Sequence, residues 1–316
     1  MEVNCEGCAG CCLDWKPLLE ETEGGTARRA RGSFGDGEAD RRVPLDDDPN
    51  FVPLTREEVR TFLERGQAAA LTPRFWHARE ENEGVEIDGY RVAAVAGRPA
   101  FFVGLRKPPK PVAPVGRSEP SWLPTCVFLD PTTLQCRIHD TELYPDECSA
   151  YPTHNLALEH ETECERVEAA AGGERLLDRD VEHEPESLLL GVQAIGEKLF
   201  CHPDPDALEG LIRRCANGDL TAADRAECLA VAAASSPGTL ATSDHHYEWG
   251  RERALAAMVD GDEPARNDDS SWVGPAIREW HRRRTAADGA VPSADIAAAI
   301  ETARGAPETP GWDALE

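Results

Sequence analysis

The spacing of apolar residues predicts short strands in the first half of the chain and helices in the second half. Thr55 and Glu58 form a capping box in front of an amphipathic stretch, so we expect a helix over residues 56–67. Apolar and polar residues then alternate on both sides of Asp88-Gly89, a dipeptide typical of a two-residue β-hairpin turn. A second short pair of strands is expected at residues 92–95 and 100–103.

The chain after Glu165 is predicted to be mainly helical, because apolar residues recur at helical spacing between typical helix-start and helix-stop residues. No stretch of 18 consecutive apolar residues occurs, so no membrane-spanning helix is predicted. The predicted helices cover residues 185–200, 204–217, 221–234, 242–259, 273–286 and 293–304.

Two segments show neither pattern. Residues 20–50 are rich in Gly, Arg and Asp and indicate a loop or mobile insertion, whereas residues 107–124 are rich in proline and indicate an extended linker or wrapping loop. We therefore expect an irregular domain over residues 1–170, which contains two groups of cysteines, and a helical C-terminal region over residues 171–316. The predicted fold class is mainly α with small β elements (α+β).

The chain is strongly acidic, with 59 Asp and Glu residues, 33 Lys and Arg residues and a net charge of −26. Only four of the basic residues are lysines, and this combination is typical of salt-accumulating halophiles, so we expect a halophilic archaeal source. At 1 M salt the Debye length is about 3 Å, and the acidic surface then says little about partners. At low salt the charge disfavours binding to nucleic acid and to anionic membranes.

The N-terminus has neither the basic start nor the apolar core of a signal peptide, so we expect a cytoplasmic protein. Thiols stay reduced in the cytoplasm. The chain has 11 cysteines, and in a reducing compartment such a number indicates metal ligation rather than disulfides.

Four of the cysteines stand within eight residues, in the segment Cys5-Glu-Gly-Cys8-Ala-Gly-Cys11-Cys12. Three cysteines at steps of three allow a tight loop to surround one inorganic centre, and bacterial ferredoxin motifs begin with the same spacing. The two glycines between them suit such a loop because they permit positive φ and a close approach of backbone amides to sulfur. Since adjacent side chains rarely point the same way, either Cys11 or Cys12 is expected to face a second centre or another corner of the same site.

A second group of four cysteines brings the candidate ligands to eight, enough for two four-thiolate sites or for one cluster and one zinc. Both zinc and a 4Fe–4S cluster take four thiolates, so the count leaves the metal open, although the N-terminal spacing favours an iron–sulfur cluster. This second group consists of Cys126, Cys136, Cys148 and Cys164. The other cysteines stand singly in predicted helices and are expected to be buried small side chains: Cys201, Cys215 and Cys228.

The two groups together resemble the YkgJ-type cysteine-cluster family. The shared pattern comprises Cys-x2-Cys-x2-Cys-Cys, Cys-aliphatic-Phe-Leu-Asp, Cys-x-Ile and Pro-x-x-Cys-x-x-Tyr-Pro. In this chain these motifs are residues 5–12, Cys126–Asp130, Cys136–Ile138 and Pro145–Pro152, and Cys164 falls where the family has its last cysteine. The resemblance covers about the first 165 residues and implies an eight-cysteine domain that chelates zinc or iron.

The chain departs from the family pattern at three places. His139 stands where the family usually has Tyr, Tyr144 stands where Arg is usual, and the interval between Cys136 and Cys148 is two residues longer. His139 and His154 flank the second cysteine group and could each replace a thiolate, although a surface or loop histidine is the favoured interpretation.

These features leave three functions open. The first is a binding or electron-transfer module that holds the metal ion or cluster. The second is a methyltransferase-like enzyme that acts on protein lysines, since some relatives of the resembled family are flagellin lysine methylases, although no S-adenosylmethionine loop is recognisable. The third is a zinc-stapled structural module whose helical part binds another protein.

Overall fold

The structure is a computed structural model that describes residues 3–18, 43–46, 51–157, 161–171, 176–177, 194–258 and 271–315. The chain divides into two compact units. Unit 1 comprises residues 1–40, 106–188 and 275–316, and unit 2 comprises residues 41–105 and 189–274. Both units are discontinuous in sequence, because packing joins segments that chain order separates.

The described part of the chain combines antiparallel strands with α-helices, which confirms the α+β class. None of its helices combines the length and the apolar content that crossing a lipid bilayer requires. The strands are β1 (Leu71–Phe75), β2 (Gly84–Ile87), β3 (Tyr90–Val95), β4 (Arg98–Leu105), β5 (Pro109–Val112), β6 (Ser121–Pro124) and β7 (Phe200–Cys201). The helices are α1 (Arg56–Glu64), α2 (Asp146–Ala150), α3 (Thr153–Ala157), α4 (Glu163–Ala171), α5 (Leu211–Ala216), α6 (Ala222–Ala234), α7 (Asp244–Met258), α8 (Val273–Ala286) and α9 (Ala294–Thr302).

Unit 2 contains a five-stranded antiparallel sheet in the order β1-β4-β3-β2, and β7 also pairs with β4. The predicted hairpin joins β2 to β3. Asp88 and Gly89 have φ values of 55° and 81°, the two positive values that a type I′ turn requires. Ala96 and Gly97 have φ values of 49° and 77° and form the second predicted turn, between β3 and β4. Both predicted hairpins are therefore confirmed.

Two of the helices in unit 2 begin with a capping box. At the start of α1 the Thr55 hydroxyl accepts a hydrogen bond from the Glu58 amide at 3.2 Å, and the Glu58 carboxylate accepts one from the Thr55 amide at 2.6 Å. Thr221 and Asp224 make the same reciprocal pair at the start of α6. Each pair satisfies backbone donors that a helix start leaves unbonded, which explains why these local sequence signals predict the helix starts correctly.

The sequence predicts an extended linker or wrapping loop over the proline-rich segment 107–124, and within this segment β5 and β6 pair as a two-stranded sheet. A strand with only one partner tolerates prolines, since half of its amides need no partner strand. Pro109 lies opposite Pro124, and Pro111 lies opposite Trp122.

Two predicted helices are corrected by the structure. The expected helix at 204–217 is a 3₁₀ turn at Asp206–Leu208 followed by α5, because Gly210 has a φ of 77° and interrupts helical geometry. The expected helix at 185–200 is a turn and strand β7 over residues 194–200, and the rest of it lies outside the described residues. The predicted insertion at 20–50 also lies outside them, apart from residues 43–46. Helices α6, α7, α8 and α9 confirm the four remaining predictions to within two residues.

In unit 1, α9 packs on an aromatic layer next to the β5–β6 sheet. Trp280 of α8 is fully buried and clusters with Ala297 and Ile300 of α9, while Trp122 of β6 packs against the same group. The Trp122 indole nitrogen donates a hydrogen bond to the Ala290 carbonyl at 2.9 Å. These contacts hold α9 beside the β5–β6 sheet. The segment that carries the second cysteine group follows directly after β6.

Candidate metal centre

All eight cysteines that the sequence selects lie in unit 1, and the three others lie in unit 2. All 11 are described by the structure, and each is a free thiol. Among the eight, Cys5 and Cys11 are exposed, whereas Cys8, Cys126 and Cys164 are buried. Cys201, Cys215 and Cys228 are buried as predicted, although Cys201 stands in strand β7 rather than in a helix.

The N-terminal cysteine loop, residues 5–13, consists of two consecutive tight turns. The Cys8 amide donates to the Cys5 carbonyl at 3.1 Å, and the Cys12 amide donates to the Ala9 carbonyl at 3.0 Å. Gly7 and Ala9 both have positive φ, 64° and 49°. The Gly10 amide points at the Cys8 sulfur at 3.4 Å, the amide-to-sulfur approach that the sequence predicts for this loop.

Cys8 packs directly against the helix that carries Cys164. The two cysteines belong to one buried apolar cluster, together with Val167 on the same helix, α4. The Asn4 amide donates to the Leu176 carbonyl at 2.8 Å and fixes the start of the loop beside this cluster. The second and the last cysteine of the pattern, Cys8 and Cys164, are therefore brought together, although more than 150 residues separate them in sequence.

The other end of the N-terminal loop is bound to the segment after β6. The Cys126 amide donates to the Cys12 carbonyl at 2.6 Å, and the Asp14 amide donates to the Pro124 carbonyl at 2.7 Å. Residues 126–129 then turn, and Cys136 forms a β-bridge with Leu129. These backbone bonds place Cys12, Cys126 and Cys136 around one small region of unit 1.

The pKa values identify one group of neighbouring thiols. Burial is the main reason that the pKa of Cys8 is raised to about 12, and charge on Cys11 and Cys5 acts in the same direction. The pKa of Cys164 is also raised, first by burial and then by charge on Cys11, Cys8 and Cys5. Charges act strongly only over short distances, so Cys5, Cys8, Cys11 and Cys164 lie in the same part of unit 1, although no three of the described donors stand at metal-ligand spacing.

A second group of thiols is coupled in the same manner. Burial and then charge on Cys126 raise the pKa of Cys136 to about 12. Burial, followed by charge on Cys126, Cys11 and Cys136, raises the pKa of Cys148. The pKa of Cys12 is raised by its hydrogen bond with Cys11, by burial, and then by charge on Cys11, Cys126 and Cys148. Cys11 is therefore next to both groups, and its sulfur lies 3.9 Å from that of Cys12.

A buried ion network supports the second group. Lys110 of β5 is fully buried, and its Nζ donates to the carbonyls of Val127 and Leu129 at 2.7 and 2.8 Å. The same Nζ lies 2.6 Å from a carboxylate oxygen of Glu301 on α9, and neither side chain is exposed to solvent. Helix α9 is thereby tied to the turn that begins at Cys126.

Arg137, the residue after Cys136, completes this network. Its guanidinium lies 3.1 Å from the Glu301 carboxylate and 2.8 Å from the Asp130 carboxylate. No sequence pattern indicated a role for Lys110, Arg137 or Glu301. The available signal was the rarity of lysine, since two of the four lysines, Lys107 and Lys110, stand beside the cysteine loops. Lys107 Nζ lies 3.5 Å from the Cys11 carbonyl oxygen.

Asp130 fixes the turn that follows Cys126. Its carboxylate accepts hydrogen bonds from the Thr132 amide at 2.8 Å, the Thr132 hydroxyl at 2.6 Å and the Thr133 amide at 3.2 Å. Burial alone would raise the pKa of Asp130, but these hydrogen bonds and Arg137 outweigh it and lower the pKa. The carboxylate is thus held ionised as an anchor of the loop.

Of the two candidate histidines, the structure describes the side chain of His139. The His139 side chain is exposed; its Nδ1 lies 3.0 Å from the Asp140 carboxylate, and its ring lies 4.7 Å from the Tyr144 ring. These contacts fit the surface histidine that the sequence favours. The His154 side chain lies outside the described part.

The cysteine sulfurs are the kind of donor that a soft metal ion or an iron–sulfur cluster prefers. In this structure, however, they are not arranged around one metal position. Among the described residues, no three side chains of His, Cys, Asp or Glu are placed so that they could hold one metal ion. All eight cysteines nevertheless lie in unit 1, and thiolates, as soft donors, select zinc, copper(I) or iron–sulfur clusters over hard cations. Metal binding would therefore draw the loops inward, which is usual where a centre and its fold form together.

The chain has 11 cysteines and divides into two compact units, with the eight candidate ligands in unit 1. Residues 1–313 match a family of unknown function, DUF7531, and the chain belongs to this family. No curated protein and no solved structure matches it.

Proposed function

We propose that this protein binds a metal centre, an iron–sulfur cluster or zinc, through its eight clustered cysteines. The observation that carries the proposal is the convergence of Cys5–Cys12 with four cysteines from residues 126–164 in unit 1. Three cysteines that the motif does not include all lie in unit 2. The eight cysteines of the motif thus lie in one unit, and the three cysteines outside the motif lie in the other.

Burial of most of the clustered thiols favours metal ligation over thiol redox or nucleophilic chemistry. Cys11 is the exception, because it is exposed and its hydrogen bond with Cys12 lowers its pKa. A cysteine nucleophile needs a lowered pKa and access to its substrate. Cys8, Cys136, Cys148 and Cys164 instead have raised pKa values, mainly because they are buried. A bound cation reverses this penalty, because it stabilises the thiolates that burial destabilises.

The space beside the cysteines also favours a metal-binding or stapling role over binding of a large cofactor at that place, whereas a larger hollow of about 610 Å³ lies on α6 and α7 in unit 2. A cavity of about 160 Å³ lies beside Cys8 and is lined in part by Trp15, Val115, Arg117 and Val167. Ordinary ligand pockets measure roughly 300–1,000 Å³, so this cavity is too small to bury a nucleoside cofactor. Calorimetric titration with S-adenosylmethionine tests the methyltransferase alternative directly, and heat of specific binding would support it.

The experiment that tests the proposal is elemental analysis of the full chain after anaerobic purification. We expect iron with acid-labile sulfide and a brown colour, or zinc in a colourless protein, bound in a fixed ratio to the chain. A chain variant with Cys8→Ser and Cys136→Ser should lose bound metal. The matched control with Cys201→Ser and Cys215→Ser should retain it, because those thiols lie in unit 2. Purified protein that carries no metal and takes up neither zinc nor iron with sulfide would overturn the proposal.

The distinction between a redox role and a structural role depends on which metal is found. Zinc has no redox chemistry, so a zinc-loaded protein would serve to staple the loops of unit 1. An iron–sulfur cluster would permit electron transfer, which a reversible change in the visible spectrum on reduction would report.

A further inference from the structure

We propose that Cys11 and Cys12 form a reversible thiol–disulfide site, at which a low-molecular-weight disulfide converts the two neighbouring thiols into one disulfide bond within the N-terminal cysteine loop. The disulfide itself requires no metal. Its consequence for metal binding rests on the proposed function, because both cysteines are candidate ligands. Oxidation of this pair would therefore regulate the same site.

The two sulfur atoms already lie close together, 3.9 Å apart. The residues stand in a helix-like turn, since the amides of Cys12 and Leu13 both donate to the Ala9 carbonyl, at 3.0 and 3.2 Å. Consecutive side chains of such a turn usually do not face each other, so the short separation is a feature of this pair. A disulfide bond is about 2.0 Å long, and rotation of the two side chains between their staggered positions can supply the remaining approach.

The two thiols differ in exposure as a two-step exchange requires, because Cys11 is exposed and Cys12 is partly buried. The Cys11 thiol loses its proton and attacks one sulfur of the small disulfide, which releases one small thiol and leaves a mixed disulfide on Cys11. The Cys12 thiol then loses its proton and attacks the Cys11 sulfur, which releases the second small thiol. The two protons lost by the cysteines equal the two gained by the released thiols, and the small disulfide is reduced as the pair is oxidised.

The ring that closes between consecutive cysteines is strained, so its disulfide bond is easily reduced. Neighbouring Cα atoms are about 3.8 Å apart across a trans peptide, less than the roughly 4.4–6.8 Å of ordinary disulfides. Strained and exposed disulfides are the labile ones that serve in regulation. In a reducing compartment the pair would therefore return to thiols once the small disulfide is consumed.

The peptide between the two cysteines also helps to hold the loop in place. Its amide, that of Cys12, donates to the Ala9 carbonyl, and its carbonyl oxygen, that of Cys11, lies 3.5 Å from Lys107 Nζ. The Cys12 carbonyl accepts a hydrogen bond from the Cys126 amide at 2.6 Å. Because this peptide lies inside the disulfide ring, closing the ring turns it and disturbs these contacts. Oxidation should therefore loosen the loop from the segment after β6 and remove two candidate ligands.

The first test uses the reduced, metal-free wild-type chain and bis(2-hydroxyethyl) disulfide, a neutral probe that the net charge of −26 does not repel. Thiols that remain after treatment are alkylated, and mass spectrometry follows the N-terminal tryptic peptide, which contains Cys5, Cys8, Cys11 and Cys12. We expect the first two to be alkylated and the last two to lose one hydrogen atom each. Treatment with dithiothreitol before alkylation should restore four alkylated cysteines.

Single variants separate the attacking thiol from the resolving thiol. Cys12→Ser should keep one hydroxyethylthio group on Cys11, because no second thiol displaces it, whereas Cys11→Ser should leave Cys12 open to alkylation. In the treated wild-type chain, alkylation of both cysteines, a persistent mixed disulfide on Cys11, or a bond from Cys11 to another cysteine would overturn the proposal. This result needs no substitution, so a variant that fails to fold does not leave the proposal untested.

The consequence for the metal is measured separately. Zinc uptake by the oxidised wild-type chain should be lower than uptake by the reduced chain, and re-reduction should restore it. Hydrogen exchange of the peptide that contains Cys126 should rise on oxidation of the wild type but not in treated Cys11→Ser. Equal zinc uptake by the two forms would overturn the link to metal binding. A reduced chain that takes up neither zinc nor iron with sulfide would overturn the proposed function, while a disulfide detected in the first test would still stand.

Discussion

Gly10 illustrates how a single small residue decides whether the N-terminal loop can lie on α4. It is not in the left-handed region, so the reason for glycine here is space: a Cβ would meet Val167 Cγ2 at 2.6 Å. Both Val167 and Cys8 are buried, and neither can move away without disturbing the cluster they share.

Gly10→Ala should therefore destabilise the protein by about 1–3 kcal/mol, the usual cost of overpacking a buried site. Urea unfolding of the metal-free protein measures this change in the free energy of unfolding. The control is the same substitution in a Val167→Ala background, where removal of the γ-methyl groups should relieve most of the clash. An equal cost in both backgrounds would show that the penalty does not come from contact with Val167.

Asp224 is a residue whose charge state links stability to pH. Its carboxylate accepts hydrogen bonds from the Thr221 amide at 2.8 Å and from Arg214 at 2.7 Å. Burial alone would raise the pKa of Asp224, but the bonds from Arg214 and Thr221 outweigh it and lower the pKa below its usual value. The stabilisation is consequently present above the pKa of the unfolded chain and is lost as the pH falls through the lower, folded pKa.

We expect the melting temperature of the wild-type chain to fall as the pH drops below about 4, where an unfolded Asp begins to protonate. Asp224→Asn should be less stable at neutral pH and should show a flatter profile between about pH 5 and 2. Calorimetry across that range, at constant ionic strength, gives the comparison. Parallel profiles for the two proteins would contradict a role for this carboxylate in the acid sensitivity.

At the scale of elements, α9 is tied to the cysteine loops by charge rather than by apolar packing alone. Glu301 on this helix pairs with Lys110 of β5 and with Arg137, and all three side chains are buried. Burying one acidic and two basic groups is unfavourable unless the partners remain paired and hydrogen-bonded. Arg137 gains a further acceptor in Asp130, and Lys110 gains two backbone carbonyls.

Glu301→Gln should destabilise the protein by about 3–5 kcal/mol, because it leaves two buried cations without their shared carboxylate. It should also weaken metal retention by Cys126 and Cys136 more than by Cys8. Chemical denaturation and metal-release kinetics measure the two effects. The matched control is Glu308→Gln, an exposed position near the same helix, where we expect a change within about 0.5 kcal/mol. A neutral Glu301→Gln would mean that the network does not hold the loops.

At the scale of the whole molecule, metal removal should affect the two units unequally. All candidate ligands lie in unit 1, whereas unit 2 is held by its sheet and by the buried helix α6. Chelation under reducing conditions should therefore raise hydrogen exchange at residues 121–157 and 163–171 while leaving α6 and α7 protected. Mass spectrometry of peptides resolves these regions. A uniform change across both units, or none, would contradict a metal centre confined to unit 1.

The net charge of −26 is a second property of the whole chain with a measurable consequence. Acidic groups repel one another over distances that salt screens, since the Debye length falls from about 10 Å at 0.1 M to about 3 Å at 1 M. We expect the melting temperature to rise with potassium chloride over this range, and sodium chloride to give the same rise at equal ionic strength. A flat or falling melting temperature would contradict the halophilic interpretation of the composition.

Local signals predicted elements where the stabilising contacts are local. Thr55 with Glu58 fixed the start of α1, and Asp88-Gly89 fixed the β2–β3 turn, because each device acts within four residues. The secondary-structure predictions differ from the structure where a single backbone conformation, or pairing with another strand, decides which element forms. Gly210 interrupts a stretch that has helical periodicity, and the β5–β6 hairpin forms in a segment whose prolines suggest a linker.

The sequence by itself determined which cysteines are candidate ligands, because the spacing of Cys5–Cys12 and the motifs around the later cysteines are properties of chain order. Only the tertiary structure decided how they group, since Cys8 meets Cys164 through packing on α4 and Cys12 meets Cys126 through a backbone hydrogen bond. The tertiary structure also brings Glu301 next to Arg137, which is 164 residues away in sequence. Contacts at such separations depend on the packing of whole elements, and no local pattern encodes them.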